Sequence, residues 1–304
     1  MTPVQRYLAE EIALDHADGL MTRREALWRL GLLGLGAAAA SSLLACARED
    51  RAEQTAPSPA ATTPPTEPTT PTPDDLSTTP VEPITFPGPQ ERVLQGSWAQ
   101  SAAPRGGVLV VHENRGLNDH IRSVAERFAA SGYSALAIDL LSEEGGTASL
   151  GDPANATAAL GRVPPERFVA DMRAGIDELE RRLGGSRLAA VGFCFGGGMV
   201  WRLLDAGEPR LDAAVPFYGP APDDPDFSGS TAAVLAIYAE FDDRVNATRA
   251  AARTALQRAG LTHEIVTFPG VDHAFFNNTG PRHDATAAAH AYGRVLDWFA
   301  RHVG

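Results

Sequence analysis

The stretch VGFCFGGG, residues 191–198, constrains the fold more than any other part of the sequence. It follows an apolar run and places Cys194 between Gly192 and Gly196 in a G-x-C-x-G pattern. This pattern is typical of a nucleophile elbow, in which a buried strand turns sharply into a helix and presents one reactive side chain. Glycine is needed two residues to either side, because larger side chains would collide across so tight a turn.

The elbow predicts a reactive thiol at the carboxyl end of a strand. There the positive end of the helix dipole favours the thiolate form of Cys194. The backbone N–H of Phe195 is directed at the place where an oxyanion would form. The alternative is an inert core cysteine. That alternative explains neither the flanking glycines nor the strand–turn–helix placement.

Apolar runs and helical periodicities alternate through the rest of the chain, from about residue 84 onward. Continuous apolar strands between helices predict an α/β fold with a mostly parallel sheet covered by helices on both faces. Predicted strands cover 92–100 (an edge strand), 108–113, 134–140, 187–193, 211–219, 232–240 and 263–268. Predicted helices cover 118–130, 165–183, a segment from 195, 246–259 and 282–302.

A thiol nucleophile needs a base and an acid that orients it, in the chain order nucleophile, acid, base. Asp242 and Asp243 follow one predicted strand, and His273 follows the next. We therefore expect one aspartate and His273 to reach Cys194. The alternatives are a polar turn that caps the following helix for the aspartates, and a solvated loop residue for the histidine.

The first 46 residues have the pattern of an export signal. Arg23 and Arg24 precede an apolar segment, 30–45, that ends in small residues. The TRREALW sequence is a partial twin-arginine match, with Ala26 where a Phe is usual. The alternative is an N-terminal helix packed on the core.

The signal ends in LLAC, which is similar to a bacterial lipobox with Cys46 as the lipidated residue. Plain cleavage without lipidation is the alternative. Residues 47–83 are rich in Pro and Thr and predict a disordered linker, since they cannot bury enough surface to offset chain entropy. Residues 84–304 then form the catalytic domain. We expect an exported protein, periplasmic or anchored on the extracytoplasmic side of a membrane.

Composition excludes several classes of function. The net charge of −12 argues against a nucleic-acid partner, because phosphate binding needs a basic face. No dinucleotide-type glycine pattern follows the first predicted strand, so NAD binding is not expected. We expect no cofactor and no metal, a monomer, and a small-molecule substrate.

Four segments together resemble the dienelactone hydrolases, or carboxymethylenebutenolidases. They are VVHENRGLNDHIRSVAERFAASGYSALAIDLL, VGFCFGGGMVWRL, AEFDDRVNA and FPGVDHAFFNNTGPRHDATAAAHAYGRVLDWF. The resemblance covers residues 84–304. It implies an α/β-hydrolase fold and a Cys-His-Asp triad of Cys194, His273 and Asp242. Asp242 is preferred to Asp243 because the family's acid precedes an aliphatic residue by three positions, here Val245.

The same resemblance implies roles for Glu113, which ends the predicted strand 108–113, and for Asn114, which follows it. Glu113 would interact with the cysteine and control its ionisation, and Asn114 would supply the second oxyanion-hole N–H. The alternative for Glu113 is a rim carboxylate paired with Arg115. The family's substrate-carboxylate arginines have no clear counterparts here, although Arg162 and Arg282 are candidate anion contacts.

These observations predict a hydrolase of ester or lactone bonds that works through a thioester intermediate. Two alternatives remain open at this point. One is an exported esterase with a different substrate range. The other is a surface-tethered binding lipoprotein that has kept the fold with little turnover.

Overall fold

The computed structural model describes residues 1–54 and 80–304. The described residues form two compact units. The larger comprises 80–151 and Pro164–Gly304, and the smaller comprises 1–54 and Asp152–Val163. Most of the predicted linker, residues 55–79, lies outside the described residues.

The larger unit is built on an eight-stranded sheet in the order β1-β2-β4-β3-β5-β6-β7-β8. β2 is antiparallel to both of its neighbours, β1 and β4. All pairs from β4–β3 to β7–β8 are parallel. The fold-class prediction is therefore confirmed. The strands are β1 Glu82–Pro87, β2 Val93–Ala99, β3 Gly106–Val111, β4 Tyr133–Asp139, β5 Leu188–Phe193, β6 Leu211–Phe217, β7 Ala233–Ala239 and β8 His263–Phe268.

The central strands are buried along their whole length, which explains why they are continuous apolar runs. β3 pairs with β4 on one side and with β5 on the other, so that Val110 faces both Ala137 and Val191. Parallel strands end at the same edge of a sheet. The loops after β3, β5, β7 and β8 are therefore gathered at one edge, where ligands bind in open α/β sheets.

The strand predicted over 92–100 as an edge strand is β2. It is internal, because β2 pairs with both β1 and β4. The true edge is β1, in which Ile84 faces Gly96 of β2. Its sequence EPITFP contains Pro83 and Pro87, which have no N–H to donate and are tolerated mainly at edges. Those prolines hid the strand from sequence analysis.

Helices cover the sheet of the larger unit. They are α4 Asp119–Ala130, α6 Pro165–Leu183, α7 Phe195–Asp205, α8 Asp243–Asn246, α9 Arg249–Arg258 and α10 Ala285–His302. The bounds of α6 match the prediction. The helix predicted over 246–259 corresponds to α9, which begins three residues later and ends one residue earlier, and the short α8 before it was not predicted.

Both amphipathic helix faces predicted from the sequence are buried. They comprise Phe168, Met172, Ile176 and Leu179 of α6, and Ala288, Ala291, Val295 and Phe299 of α10. Each set recurs at three- and four-residue steps, the spacing of one helix face.

The smaller unit is helical, with α1 Pro3–Ala17, α2 Arg23–Leu32, α3 Ala37–Gln54 and α5 Pro153–Leu160. Thr2 caps α1 in a capping box with Gln5. The unit is tightly packed where α2 ends, because a Cβ at Gly161 would lie 2.6 Å from Leu33. Among the described residues, no helix has the length and apolar character that crossing a membrane requires.

Candidate active site

The elbow at Cys194 has the geometry that its glycines predict. Cys194 joins β5 to α7 with φ 56° and ψ −118°, a conformation that L-residues adopt only when their surroundings enforce it. A Cβ at Gly192 would lie 2.1 Å from the carbonyl oxygen of Gly196. A Cβ at Gly196 would lie 2.4 Å from the carbonyl oxygen of Val111. The requirement for glycine at both positions is confirmed.

The backbone around Cys194 is anchored on both sides. Its N–H donates to the carbonyl oxygen of Phe217, and its own carbonyl accepts from Gly198, each at 3.1 Å. Cys194 is buried, with 3% of its surface exposed. Phe195 is the first residue of α7, where backbone N–H groups have no acceptor inside the helix.

Asp242 and His273 form a close pair. Asp242 follows β7, His273 follows β8, and His273 Nδ1 lies 2.5 Å from Asp242 Oδ2. Both side chains are buried, whereas Asp243 is exposed. The structure thus places Asp242, the residue that the resemblance selects, next to the histidine.

The carboxylate of Asp242 has a second task. Its Oδ1 accepts a hydrogen bond from the backbone N–H of Val245 at 3.3 Å and caps α8. The capping interpretation and the pairing interpretation therefore both hold for this residue, one through each oxygen. The cap fixes the carboxylate from one side while His273 binds it from the other.

Burial alone would raise the pKa of Asp242. The nearby charge of His273 and the hydrogen bond from it outweigh burial, with further help from Arg244 and the Val245 N–H. The net result is a pKa below the ordinary value of 3.8, so the carboxylate is ionised at neutral pH. An ionised acid holds the imidazole with its proton on Nδ1.

The imidazole lies close to the thiol. A ring nitrogen of His273 is within 4.8 Å of the Cys194 sulfur. The ring of Tyr218 packs edge-on against the imidazole, with centroids 5.1 Å apart. Ala274, next in the chain, has φ 62°, so the loop that carries the histidine turns sharply after it. These contacts bring three predicted site residues to one edge of the sheet.

Glu113 is buried at the same edge, whereas Arg115 is exposed. Its Oε2 accepts a hydrogen bond from Asn277 Nδ2 at 2.6 Å. Asn277 is held in turn, because its Oδ1 accepts from the N–H and hydroxyl of Thr279. Sequence analysis missed Asn277. A spacing of 164 residues from Glu113 leaves no local signal for such a contact.

Comparison with known proteins identifies the family. The pattern of the dienelactone hydrolase family matches residues 94–303. The chain belongs to the dienelactone hydrolase family. This membership confirms the predicted resemblance and places the protein among hydrolytic enzymes with the α/β-hydrolase fold.

Two relatives show how far the likeness extends. A protein of Escherichia coli (strain K12), provisionally named carboxymethylenebutenolidase, is 30% identical over 247 residues, which are 77% of this chain and 90% of the relative. A crystal structure from Klebsiella pneumoniae, provisionally named dienelactone hydrolase, has 29% identity and a TM-score of 0.63. It covers 73% of this chain and 100% of its own.

A third relative carries a different activity in its name. It is a dienelactone hydrolase-like promiscuous phosphotriesterase from metagenomic libraries, with 25% identity and a TM-score of 0.60. The match covers 75% of this chain and 100% of that one. Dienelactone hydrolase-like folds therefore occur with more than one substrate class.

The two candidate anion contacts lie in different units of this dienelactone hydrolase family member. Arg162 belongs to the smaller unit, where its guanidinium donates to the carbonyl oxygen of Leu32 at 3.3 Å. Arg282 is half-buried in the larger unit, nine residues after His273. A role in substrate binding is an untested prediction for both.

Proposed function

We propose that this protein hydrolyses ester or lactone bonds through a triad of Cys194, His273 and Asp242. The observation that carries the proposal is the arrangement of these three groups. Asp242 lies 2.5 Å from His273 Nδ1, and a ring nitrogen of His273 lies within 4.8 Å of the Cys194 sulfur. A nucleophile, a base and an orienting acid thus lie next to one another in the sequence of contacts that proton transfer requires.

The first half of the reaction is acyl transfer to sulfur. His273 accepts the thiol proton, and the sulfur of Cys194 attacks the carbonyl carbon of the substrate. The backbone N–H groups of Phe195 and Asn114 stabilise the tetrahedral oxyanion. His273 then donates its proton to the leaving alcohol oxygen as the C–O bond breaks, which leaves a thioester.

The second half is hydrolysis of that thioester. His273 takes a proton from water, and the hydroxide attacks the carbonyl carbon. The same two N–H groups hold the second oxyanion. The C–S bond breaks, the carboxylic acid leaves, and the proton on His273 returns to Cys194. Asp242 stays ionised and stabilises the imidazolium in both halves.

We assign Glu113 to the control of thiol ionisation, as the resemblance implies. Its carboxylate is buried at the same edge as the triad and is held by the amide of Asn277. A buried carboxylate changes its proton affinity when substrate displaces water around it, which makes it suited to a proton relay.

The test is an assay of the full chain on short-chain p-nitrophenyl esters. The enzyme carries Cys46→Ser, so that iodoacetamide can label Cys194 alone among its two cysteines. We expect turnover before labelling and its loss in proportion to labelling. Cys194→Ala should lower kcat by at least about 10⁴-fold. Absence of turnover in the unlabelled protein would favour the binding-protein alternative.

Substrate choice needs a second assay. Relatives carry the name carboxymethylenebutenolidase, and we propose lactones and simple esters as the candidate classes. A panel that compares kcat/KM for dienelactone with neutral alkyl esters separates the two. A preference for neutral esters would identify an esterase of different range.

We also propose that the protein is exported and lipidated on Cys46. This residue is exposed on α3, within the segment predicted as a signal. Mass spectrometry of the mature N-terminus tests the proposal. A diacylglyceryl cysteine at position 46 supports it, and an intact Met1 contradicts it. Size-exclusion chromatography with light scattering tests the predicted monomer.

A further inference from the structure

His112 is a fully buried histidine whose two ring nitrogens are both bonded to main-chain groups. Nδ1 lies 2.7 Å from the carbonyl oxygen of Glu113, and the N–H of Leu140 donates to Nε2 at 3.1 Å. A carbonyl oxygen only accepts and an N–H only donates. One neutral tautomer satisfies both bonds, with the proton on Nδ1.

The hydrogen bond from His112 to the Glu113 carbonyl also orients the N–H of the next residue, Asn114. The Glu113 carbonyl and the Asn114 N–H belong to the same peptide group, and the described residues contain no cis peptide bond. In a trans peptide the C=O and N–H point in opposite directions within one plane. Holding the oxygen therefore sets the direction of the Asn114 N–H.

The Nε2 side of His112 is bonded to the main chain at the end of β4. Leu140 directly follows β4, so the imidazole connects the end of β3 to the end of its neighbour. The His112 ring also stacks on Phe195, with centroids 6.1 Å apart and planes inclined by 20°. Phe195 carries the other N–H that the proposed function uses. One side chain thus bonds to the peptide group that contains the Asn114 N–H and stacks on Phe195.

Burial keeps the imidazole in the neutral form that this role requires. Desolvation lowers the pKa of His112, and the nearby charge of Asp139 opposes that shift without reversing it.

Further hydrogen bonds hold the turn that follows Glu113. The Leu117 N–H donates to the Thr147 hydroxyl at 2.9 Å. The Gly116 N–H also donates to the Glu113 carbonyl, at 3.2 Å.

We propose that His112 is the positioning residue of the oxyanion hole, acting by donating from Nδ1 to the Glu113 carbonyl and so aiming the Asn114 N–H. The proposal rests on the proposed function. It assigns His112 a role in stabilising the transition state rather than in proton transfer, since main-chain groups bond both of its nitrogens.

Two amide substitutions separate the two bonds of His112 in the full chain. The amide nitrogen of Asn reaches the position of Nδ1, so His112→Asn keeps a donor to Glu113. The amide oxygen of Gln reaches the position of Nε2, so His112→Gln keeps an acceptor for Leu140 and loses the donor. We expect H112Q to lower ester kcat about 10- to 100-fold, less than complete removal of an oxyanion donor. H112N should stay within about 3-fold of wild type.

Alkylation of Cys194 by iodoacetamide is the second readout, in a Cys46→Ser background. Alkylation needs the thiolate but forms no oxyanion. A positioning role predicts a wild-type alkylation rate in H112Q despite its lower kcat. His290→Gln, on the exposed side of α10, is the matched control and should change neither rate.

Three results would overturn the proposal. They are wild-type kcat in H112Q, an equal loss of kcat in H112Q and H112N, and a loss of alkylation parallel to the loss of kcat. Nitrogen-15 NMR of the wild-type imidazole tests it without any variant, since a proton on Nε2 contradicts it. An enzyme with no ester turnover before mutation would instead contradict the proposed function.

Discussion

Two strand-end regions of the sheet hold a buried histidine beside a buried aspartate, and they differ in what bonds the imidazole. At the ends of β3 and β4, main-chain groups bond both nitrogens of His112, and Asp139 acts on it only through its charge. After β7 and β8, Asp242 binds Nδ1 of His273, and a ring nitrogen lies within 4.8 Å of the Cys194 sulfur.

The difference shows why residue type alone does not identify a base. Asp139 directs its oxygens at loop groups, accepting from the Leu141 N–H and from the N–H and hydroxyl of Thr147. It thereby shapes a loop. Asp242 directs one oxygen at the imidazole of His273, which the proposed function uses as the proton acceptor. The same pair of side chains shapes a loop at the ends of β3 and β4 and, in the proposed function, supports catalysis after β7 and β8.

The largest expected effect comes from removing the negative charge of Asp242, which pairs with His273. Asp242→Asn should lower kcat by about 10³- to 10⁴-fold, because a neutral amide no longer stabilises the imidazolium or selects its tautomer. Steady-state kinetics on a p-nitrophenyl ester measures it. Asp243→Asn, at the exposed neighbour, is the control and should stay within about 2-fold. Equal losses in the two variants would contradict the assignment of the acid.

A methyl group between the two regions should loosen both. A Cβ at Gly196 would lie 2.6 Å from the carbonyl oxygen of His112, besides its contact with Val111. Gly196→Ala should lower the free energy of unfolding by about 1–3 kcal/mol or prevent folding. Gly293→Ala in α10 has open space and should raise it by about 0.5–1 kcal/mol. Denaturant titration compares them, and similar midpoints would argue against the tight elbow.

Removing the negative charge of Asp139 should affect the free energy of unfolding more than kcat. Asp139→Asn replaces a carboxylate acceptor that binds three donors, and we expect a loss of about 1–3 kcal/mol in unfolding free energy. The kcat should fall less than about 10-fold. Asp119→Asn, fully exposed on α4, is the control. A kcat loss as large as that of Asp242→Asn would erase the distinction between the regions.

The smallest effect is a pH dependence of stability. The pKa of His112 is lowered, so between its folded value and about 6.5 the unfolded chain binds a proton that the folded chain does not. Stability must then fall as pH falls below about 6.5, by at most about 1.4 kcal/mol per pH unit for this residue. Asp242, with a depressed pKa, stabilises the fold above about 3.9 and loses that contribution only as pH falls through its folded value.

Unfolding free energies at pH 7, 6 and 5 check this expectation. His112→Asn has no proton to gain there, so its curve should be flatter than that of the wild type. His120 should contribute to the remaining slope, since burial lowers its pKa to about 4. An unchanged slope in His112→Asn would mean that His112 accepts a proton as readily in the folded chain as in the unfolded one.

Sequence alone predicted the parts of the fold that local chemistry determines. Apolar runs marked the central strands, and the amphipathic face of α6 marked its full extent, Pro165–Leu183. Prolines concealed β1, and the sequence analysis missed the short α8, which Asp242 caps. Sequence analysis interpreted the first 46 residues as a signal and missed α1, although Thr2 and Gln5 form a capping-box signature and Val4, Leu8 and Ile12 recur at four-residue steps.

The predicted site residues came from chain order, and the missed ones depend on contacts between distant segments. Chain order pointed to His273 and left Asp242 and Asp243 open, the family resemblance selected Asp242, and the structure pairs Asp242 with His273. The contact of Asn277 with Glu113 spans 164 residues, and the contact of His112 with Leu140 spans 28 residues, from the end of β3 to the end of β4. Spacing in a sequence carries no information about either until the sheet order is known.

The double use of Asp242 has a consequence for how this enzyme tolerates change. One oxygen is committed to the backbone of Val245 and the other to His273, so a Glu of greater length could not keep both distances. A laboratory selection for new substrates should therefore leave codon 242 invariant while codon 243 drifts freely.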